Sequence, residues 1–250
     1  MIASLPMYAT PRTAAADARL WSAIATNLSH AGHPAPQVLT LAPGDLLAHW
    51  TDPALVLSQT CGRPYKDHLH GRVHLVGTAD YGVPGCPPGY YRSLVIARAD
   101  DPRSDIAEFT GAIFAFNEPG SQSGWAALAA ERPEILTGPR LQTGSHRAST
   151  LAVREGRADF AAIDAVTLRH LTAASEATGV KVIHGTEPRP GLPFITALSQ
   201  DAAAIAQAVS DAIASLEKAD RATLGLRSLV DIPAEDYLAL PDPTIMPPRP

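Results

Sequence analysis

Residues 112–128, AIFAFNEPGSQSGWAAL, impose the strongest local constraint on how this chain folds. Ala112–Phe116 is a short apolar run, rich in aromatic residues and too short for a helix, so it predicts a buried strand. Asn117–Gly120 has the composition of a turn, and good helix formers follow from about Ser121. A strand, a turn and a serine-rich helix start can together hold an anion, because the first N–H groups of a helix lack partners within it.

Two interpretations of the serines in this stretch stay open on these residues alone. Ser121 or Ser123 can be a plain N-cap, which is a common role of serine at a helix start. Both hydroxyl groups can also donate to a bound anion beside the backbone N–H groups. With a net charge of -5 and a pI near 6.0, the chain has no general attraction for anions. An anion site must therefore be local, made by dipoles and hydroxyl groups.

The same charge balance argues against a nucleic acid or an anionic membrane as a partner. No apolar run reaches the roughly 18 residues of a membrane span, and the opening MIASLPMYATP lacks the features of a signal peptide. As written, the sequence predicts a cytoplasmic protein, or a periplasmic one if the true start lies upstream. Cys61 and Cys86 can pair after export or stay thiols in a reducing cytoplasm. Because the sequence shows no signal peptide, we expect free thiols. The histidines show no metal spacing, so we expect neither a metal nor a cofactor.

Apolar periodicity predicts strands that alternate with helices along the whole chain. The predicted strands are 1–8, 38–41, 54–58, 70–77, 90–98, 112–116, 158–163, 180–185 and 192–198. The predicted helices are 13–31, 44–50, one from about 121, 145–154, 164–177 and 201–218. This alternation predicts an α/β fold with parallel sheets covered by helices, in which ligands bind at the carboxyl ends of the strands.

Four stretches of the sequence match motifs of a known family. NEPGSQSG at 117–124 is similar to a Ser-Thr-Ser-Gly anion loop, and TGSHRASTLAVREGRADFAAIDAVT at 143–167 to a block with the pattern GSH…A…G..D.AA.D. SQTCGRPY at 58–65 is similar to a Gly-Pro-x-x-Tyr loop, and PGYYRSLVIARADDP at 88–102 to a crossover strand. Together they resemble the phosphate, phosphite and phosphonate substrate-binding proteins of ABC transporters, a branch of the type II periplasmic binding proteins.

The resemblance implies two α/β lobes, each a mostly parallel sheet flanked by helices, joined by two crossover strands. Lobe 1 would comprise residues 1–93 and 192–250, and lobe 2 residues 94–191 with the anion loop. A small phosphate-, phosphite- or phosphonate-like anion would be captured between the lobes, which would close by hinge bending. The resemblance thus implies a solute-binding protein rather than an enzyme, with an ABC permease as its partner if the protein is exported.

Carried over position by position, the resemblance also implies a set of ligand-binding residues. They are Tyr8, Cys61, Tyr65, Asn117, Ser121, Gln122, Ser123, His146 and Asp164. The hydroxyl groups of Ser121 and Ser123 would hold the phosphorus oxygens, and His146 would reach the same group. Asp164 would accept from a protonated ligand oxygen or pair with a ligand cation, which would favour a monoprotonated phosphate-like group over sulfate.

Two residues depart from the family pattern and leave the identity of the ligand open. Gln122 stands where the anion loop has threonine, and Arg63 precedes Pro64 where the family has a small residue. Taken alone, His146 can be a solvated side chain at a helix start and Asp164 an N-cap.

The same residues admit functions other than solute binding. A hydrolytic triad of Ser123, His146 and Asp164 is disfavoured, because Gln122 occupies the serine position of a G-x-S-x-G elbow. The alternatives that stay open are a cytoplasmic enzyme on the same scaffold, with Cys61 as the suspected reactive residue, and a ligand-sensing module.

Overall fold

The structure is a computed structural model that describes residues 1–245. It divides the chain into two compact units. Unit 1 comprises Met1–Tyr90 and Pro190–Ala239, and unit 2 comprises Tyr91–Arg189 and the described residues from Leu240 onward. Residues 246–250, which were predicted to belong to lobe 1, lie outside the described part of the chain.

The strands are short, and most of their residues are buried. They are β1 (Ile2–Ala3), β2 (Leu55–Gln59), β3 (Val73–Asp80), β4 (Tyr90–Tyr91), β5 (Ser93–Arg98), β6 (Phe114–Phe116), β7 (Arg140–Gln142), β8 (Phe160–Asp164), β9 (Val180–Gly185), β10 (Arg189–Pro190), β11 (Pro193–Ala197) and β12 (Ser228–Val230).

Helices separate many of these strands, but β3–β5 and β9–β11 follow one another directly. They are α1 (Ala14–His30), α2 (Leu46–Trp50), α3 (Gly62–Pro64), α4 (Ala127–Glu131), α5 (His146–Arg154), α6 (Ala165–Ala173), α7 (Ala202–Ser215), α8 (Lys218–Leu224) and α9 (Ala234–Leu238). Several begin at a capping side chain: Asp45, Ser145 and Asp201 each accept a backbone N–H group from the first turn of α2, α5 and α7. Helical turns of other kinds span Tyr65–Leu69, Ile106–Phe109, Gln122–Ala126 and Pro133–Thr137.

Unit 1 is built on a five-stranded sheet in the order β1-β2-β11-β3-β12. β1 and β2 are parallel, and β11 is antiparallel to both β2 and β3, so β1, β2 and β3 run in the same direction. Each face of the sheet packs on its own hydrophobic core. Phe194 and Ile195, neighbours in β11, belong to the two different cores because successive side chains of a strand point to opposite faces.

Unit 2 has a five-stranded sheet in the order β7-β6-β8-β5-β9. β6 is parallel to β7 and β8, whereas β5 is antiparallel to β8 and β9. Phe114 and Phe116 of β6 point into an aromatic core with Trp125 and Phe160, and Ala115 between them points into the core on the other face. The short apolar run before the turn is therefore the buried strand that its sequence predicts.

Both sheets are mixed, although the alternating pattern predicted mostly parallel pairing. The antiparallel strands are β5, which begins just after the chain enters unit 2, β11, which begins just after it returns to unit 1, and β12 at the edge beside β3. Two strands that follow one another in sequence and pair in parallel need a crossover connection between them, usually a helix. Since β5 and β11 each enter their sheet directly from the other unit, no such helix precedes them and both run against their neighbours.

Two local predictions were wrong. The segment 38–41 is a loop rather than a strand: the side chains of Val38 and Leu41 are 75% and 83% exposed. Its backbone contact with β1 is a hydrogen bond of 2.7 Å from the Thr40 N–H to the Ala3 carbonyl. The apolar residues that suggested a strand do not bury a face there, and the first strand shortens from 1–8 to Ile2–Ala3.

The segment after α9 also departs from its predicted place in lobe 1, because it packs on unit 2. The Thr244 hydroxyl donates to the Ala129 carbonyl over 3.1 Å, and Ile245 packs against the aromatic core. Thr244 and Ala129 are more than a hundred positions apart in the sequence, so local sequence patterns do not predict this contact.

We expect Gly138→Ala to destabilise the protein by about 1–3 kcal/mol, the usual cost of overpacking. A Cβ atom at Gly138 would lie 2.3 Å from the Gly111 carbonyl oxygen and 2.4 Å from that of Ala112, and backbone cannot move aside cheaply. Gly120→Ala is the matched control, since a Cβ atom there meets nothing within 4 Å. Urea unfolding checks the prediction, and equal midpoints for the two variants would contradict it.

Candidate functional site

The residues predicted to bind the ligand from the second lobe meet at one edge of the sheet of unit 2. β6, β7 and β8 are parallel, so their carboxyl ends lie side by side. Asn117 follows β6, His146 begins the helix after β7, and Asp164 ends β8. The Gly144 N–H donates to the Asn117 carbonyl over 2.9 Å and ties the first two loops together.

Ser121 is the N-cap of the helical segment after β6. Its hydroxyl oxygen accepts the Gly124 N–H over 3.0 Å, and the turn Gln122–Ala126 continues directly into α4. The capping interpretation of Ser121 is therefore confirmed, while its hydroxyl proton stays available to another acceptor. A Cβ atom at Gly124 would lie 1.8 Å from the Asn117 Oδ1 atom, so glycine is needed for the Asn117 side chain to lie against this turn.

Ser123 is hydrogen-bonded to His146. The Ser123 Oγ and His146 Nε2 atoms are 3.0 Å apart, and the Ser93 hydroxyl donates to the Ser123 carbonyl over 2.8 Å. Burial lowers the pKa of His146 from 6.5 to about 4, against a smaller opposing effect of the Ala162 carbonyl. The imidazole is thus neutral near pH 7, and it orients Ser123 without bringing a positive charge to the edge.

Asp164 caps α6. Its Oδ1 atom accepts the Val166 N–H over 2.7 Å and the Thr167 N–H over 2.9 Å, and the residue is buried. This is the structural role that the sequence left open. The contact of Asp164 with a ligand stays a prediction.

Gln122 is the unusual residue of the loop. It is 1% exposed, and neither its Oε1 nor its Nε2 atom has a hydrogen-bond partner within residues 1–245. Most buried polar side-chain atoms in proteins are paired. A buried donor or acceptor without a partner costs about 1–3 kcal/mol, so this carboxamide is costly for the chain alone.

Two polar residues at the same edge were missed. Ser93 is opposite Asp164 in the β5–β8 pairing, and it exchanges hydrogen bonds of 3.0 Å with Thr186: the Ser93 N–H donates to Thr186 Oγ1 and the Thr186 N–H to the Ser93 carbonyl. Both residues are buried. A signal existed, since Ser93 is a polar residue inside the predicted strand 90–98, but only the sheet order places it beside Asp164.

In unit 1 the structure groups Tyr8 with residues that sequence analysis did not single out. The Tyr8 and Tyr81 rings meet edge to face with centroids 4.9 Å apart. The Gln59 Nε2 atom donates to the Tyr81 hydroxyl over 3.3 Å and to the Leu192 carbonyl over 3.2 Å. Gln59 and Tyr81 lie at the carboxyl ends of β2 and β3, so this edge matches the rule that guided the prediction.

Tyr65 lies apart from that group. Its ring is 3% exposed in a core of unit 1, with the Tyr237 ring centroid 5.4 Å away and His70 Nδ1 3.3 Å from its hydroxyl. The structure thus gives Tyr65 a packing role, and its predicted ligand contact gains no support. Cys61 follows β2 as the residue before α3, and neither it nor Cys86 forms a disulfide within the described chain. The ligand contacts of Tyr8 and Cys61 stay predictions.

None of the helices described for residues 1–245 combines the length and the apolar character that crossing a membrane requires.

Solved structures of known proteins resemble this fold over nearly the whole chain. PhnD1 from Prochlorococcus marinus, in complex with methylphosphonate, has a TM-score of 0.72 at 9% identity, covering 95% of this chain and 94% of that chain. The binding component of an ABC phosphonate transporter from Pseudomonas aeruginosa has a TM-score of 0.66 at 18% identity, covering 95% and 82%. XAC2383 from Xanthomonas citri, bound to chloride, has a TM-score of 0.70 at 14% identity, covering 96% and 95%.

At these identities the likeness is one of fold, and it confirms the predicted α/β fold of the periplasmic-binding-protein type. No curated protein matches the sequence.

The family itself is shown by the sequence. A family model described as "ABC transporter, phosphonate, periplasmic substrate-binding protein" matches residues 65–236, well over half of the chain. It confirms the prediction of a solute-binding transport component rather than an enzyme, and it implies a small phosphonate ligand and an ABC permease as partner. The chain is a member of this family of phosphonate substrate-binding proteins of ABC transporters.

Proposed function

We propose that the carboxyl edge of β6, β7 and β8 in unit 2 binds the phosphorus oxyanion group of the ligand. The observation that carries this proposal is the buried Gln122 carboxamide, whose two polar atoms have no partner within residues 1–245. A polar ligand beside the loop would supply the missing hydrogen bonds. The hydroxyl groups of Ser121 and Ser123, on either side of Gln122, would donate to the same ligand.

The oxyanion would be held by dipoles and neutral donors. The N–H groups at the start of the segment 122–131 point away from the helical body, and the helix dipole favours an anion at this end. His146, neutral near pH 7, would act through its hydrogen bond to Ser123. Because such donors are preorganised by the fold, the site would stabilise an anion without mobile counter-charges.

Asp164 would distinguish between anions. Its carboxylate, which caps α6 through Oδ1, can only accept hydrogen bonds, so it would pair with a ligand oxygen only where the ligand offers a proton. Sulfate offers no proton near neutral pH, so it would bring a negative charge to the Asp164 carboxylate with no hydrogen bond between them. A monoprotonated phosphorus oxyanion would be favoured over sulfate for this reason.

Thermal unfolding against a ligand panel tests the proposal. The panel contains phosphate, phosphite, methylphosphonate, aminoethylphosphonate and sulfate. A ligand at about 100 times its dissociation constant adds roughly 2.7 kcal/mol of stability, which gives a readily measured rise in melting temperature. We expect a rise with at least one phosphorus oxyanion and none with sulfate.

Amide hydrogen exchange tests whether the ligand binds to these loops of unit 2. We expect slower exchange for the loops at 117–126 and 143–147 when the stabilising ligand is present. No thermal shift with any phosphorus oxyanion, or protection confined to other segments, would refute the proposal.

A further inference from the structure

The Gln122 carboxamide is the one side chain of the anion loop, within the described residues, that has both an unpaired donor and an unpaired acceptor. Because both Oε1 and Nε2 lack partners, this statement does not depend on which atom is oxygen and which is nitrogen. The residue is 1% exposed, so water does not replace the missing partners as it would at a surface.

The side chains next to Gln122 in the loop have hydrogen-bond partners or close contacts of their own. Ser121 accepts from Gly124, Ser123 is bonded to His146, and the Asn117 carboxamide lies against Gly124. The Asn117 Oδ1 atom also lacks a hydrogen-bond partner within residues 1–245, but in Gln122 both the donor and the acceptor lack one. An apolar side chain of the same length would fill the space without the cost of two unpaired polar atoms.

The chemistry of a carboxamide limits what can satisfy it. Its Nε2 atom donates and its Oε1 atom accepts, so full pairing requires a ligand with both an acceptor and a donor. In a monoprotonated alkylphosphonate the single O–H group would serve Asp164, so the remaining oxygens are acceptors alone: they would pair with Nε2 and leave Oε1 unpaired beside a negative charge. A ligand that also carries an O–H or N–H group would satisfy both atoms.

We propose that Gln122 is a specificity-determining residue that hydrogen-bonds the ligand through both carboxamide atoms. Nε2 donates to the oxyanion, and Oε1 accepts from an O–H or N–H group of the same ligand. The site therefore selects phosphorus oxyanions that carry a hydrogen-bond donor, such as hydroxyalkylphosphonates, over simple alkylphosphonates. This inference rests on the proposed function and names the substrate class of that site.

Isothermal titration with hydroxymethylphosphonate and methylphosphonate tests the inference. Near neutral pH the phosphonyl O–H group of either monoanion would serve Asp164, so the hydroxyl group of hydroxymethylphosphonate is the donor that distinguishes the two ligands at Gln122. We expect the unaltered protein to bind hydroxymethylphosphonate about tenfold more tightly, since a site built to pair a hydroxyl group rejects an analogue that lacks it.

Gln122→Met is the informative variant, because methionine keeps the length of the side chain and removes both polar atoms. We expect the ratio of the two affinities to fall to about one. We also expect the melting temperature of the ligand-free variant to rise by several degrees, because two buried unpaired atoms are gone. A merely structural glutamine would give the opposite thermal shift.

Gln142→Met, at an exposed position of β7 in the same unit, is the matched control and should leave the affinity ratio unchanged. An unchanged ratio in Gln122→Met, or a lowered melting temperature, overturns the inference while leaving the proposed function standing. If the unaltered protein binds neither phosphonate nor any other phosphorus oxyanion, the proposed function fails and this inference fails with it.

Discussion

Replacing Ser123 and His146 together by alanine should weaken phosphonate binding by tenfold or more. Hydrogen bonds to a charged group contribute about 1.5–3 kcal/mol each, and the loss of one alone exceeds the roughly 1.4 kcal/mol that corresponds to tenfold. The oxyanion would lose its hydrogen bond from the Ser123 hydroxyl. The variant would also lack the His146 ring, whose Nε2 atom lies 3.0 Å from Ser123 Oγ and orients that hydroxyl. Isothermal titration with methylphosphonate measures the effect.

The single variants sharpen this test. If His146 acts through Ser123, the two single substitutions should cost more in sum than the double substitution, because residues in one hydrogen-bonded pair are not additive. Ser104→Ala combined with His30→Ala, both at exposed positions, is the control of the same composition. Unchanged affinity in a folded Ser123→Ala, His146→Ala variant would remove both residues from the site.

The second large effect concerns pH. Burial lowers the pKa of His146 to about 4, whereas the unfolded chain has the ordinary pKa of 6.5. As pH falls below about 6.5, the unfolded state binds this proton first, so stability is lost between about pH 6.5 and pH 4. At about 1.4 kcal/mol per unit of pKa, the loss reaches roughly 3 kcal/mol. Urea unfolding across this range, with His146→Gln as reference, isolates the effect.

Because Asp17 also titrates in this pH range, the effect of His146 has to be read from the difference in stability between the unaltered protein and His146→Gln. Burial raises the pKa of Asp17 from 3.8 to about 6, so its contribution to stability decreases as pH rises through the same range. The two residues oppose each other, and the raw curve of the unaltered protein can look flat. We expect the His146→Gln variant to lose the acid-dependent destabilisation and Asp17→Asn to expose it. A difference between the unaltered protein and His146→Gln that does not vary with pH would contradict the lowered pKa.

Much of the candidate site could be predicted because its determinants are local. The strand Phe114–Phe116, the turn after it and the capping serine are neighbours in sequence, and each follows from apolar run length, turn residues and cap preference. Asp164 was recognised as a possible cap for the same reason, and it caps α6. The motif resemblance added the family, which local propensity alone does not reach.

The errors arose where burial decided the outcome. The segment 38–41 has strand-like residues, but Val38 and Leu41 are exposed and no sheet edge pairs with the whole segment. The packing of Tyr65 on Tyr237, which lies far along the chain, was not foreseen, and the ligand contact predicted for Tyr65 stays a prediction. The direction of β5 and β11 was missed because it depends on how the chain moves between the two units.

The sequence by itself determined the α/β class, the anion loop with its cap and the family, because these depend on patterns among nearby residues. Only the tertiary structure decided that Ser93 and Thr186 join the edge of unit 2, that His146 is neutral and bonded to Ser123, and that the Gln122 carboxamide is buried without a partner. Those properties arise from desolvation and hydrogen-bond geometry, which are set by residues from distant strands that meet at one edge of a sheet.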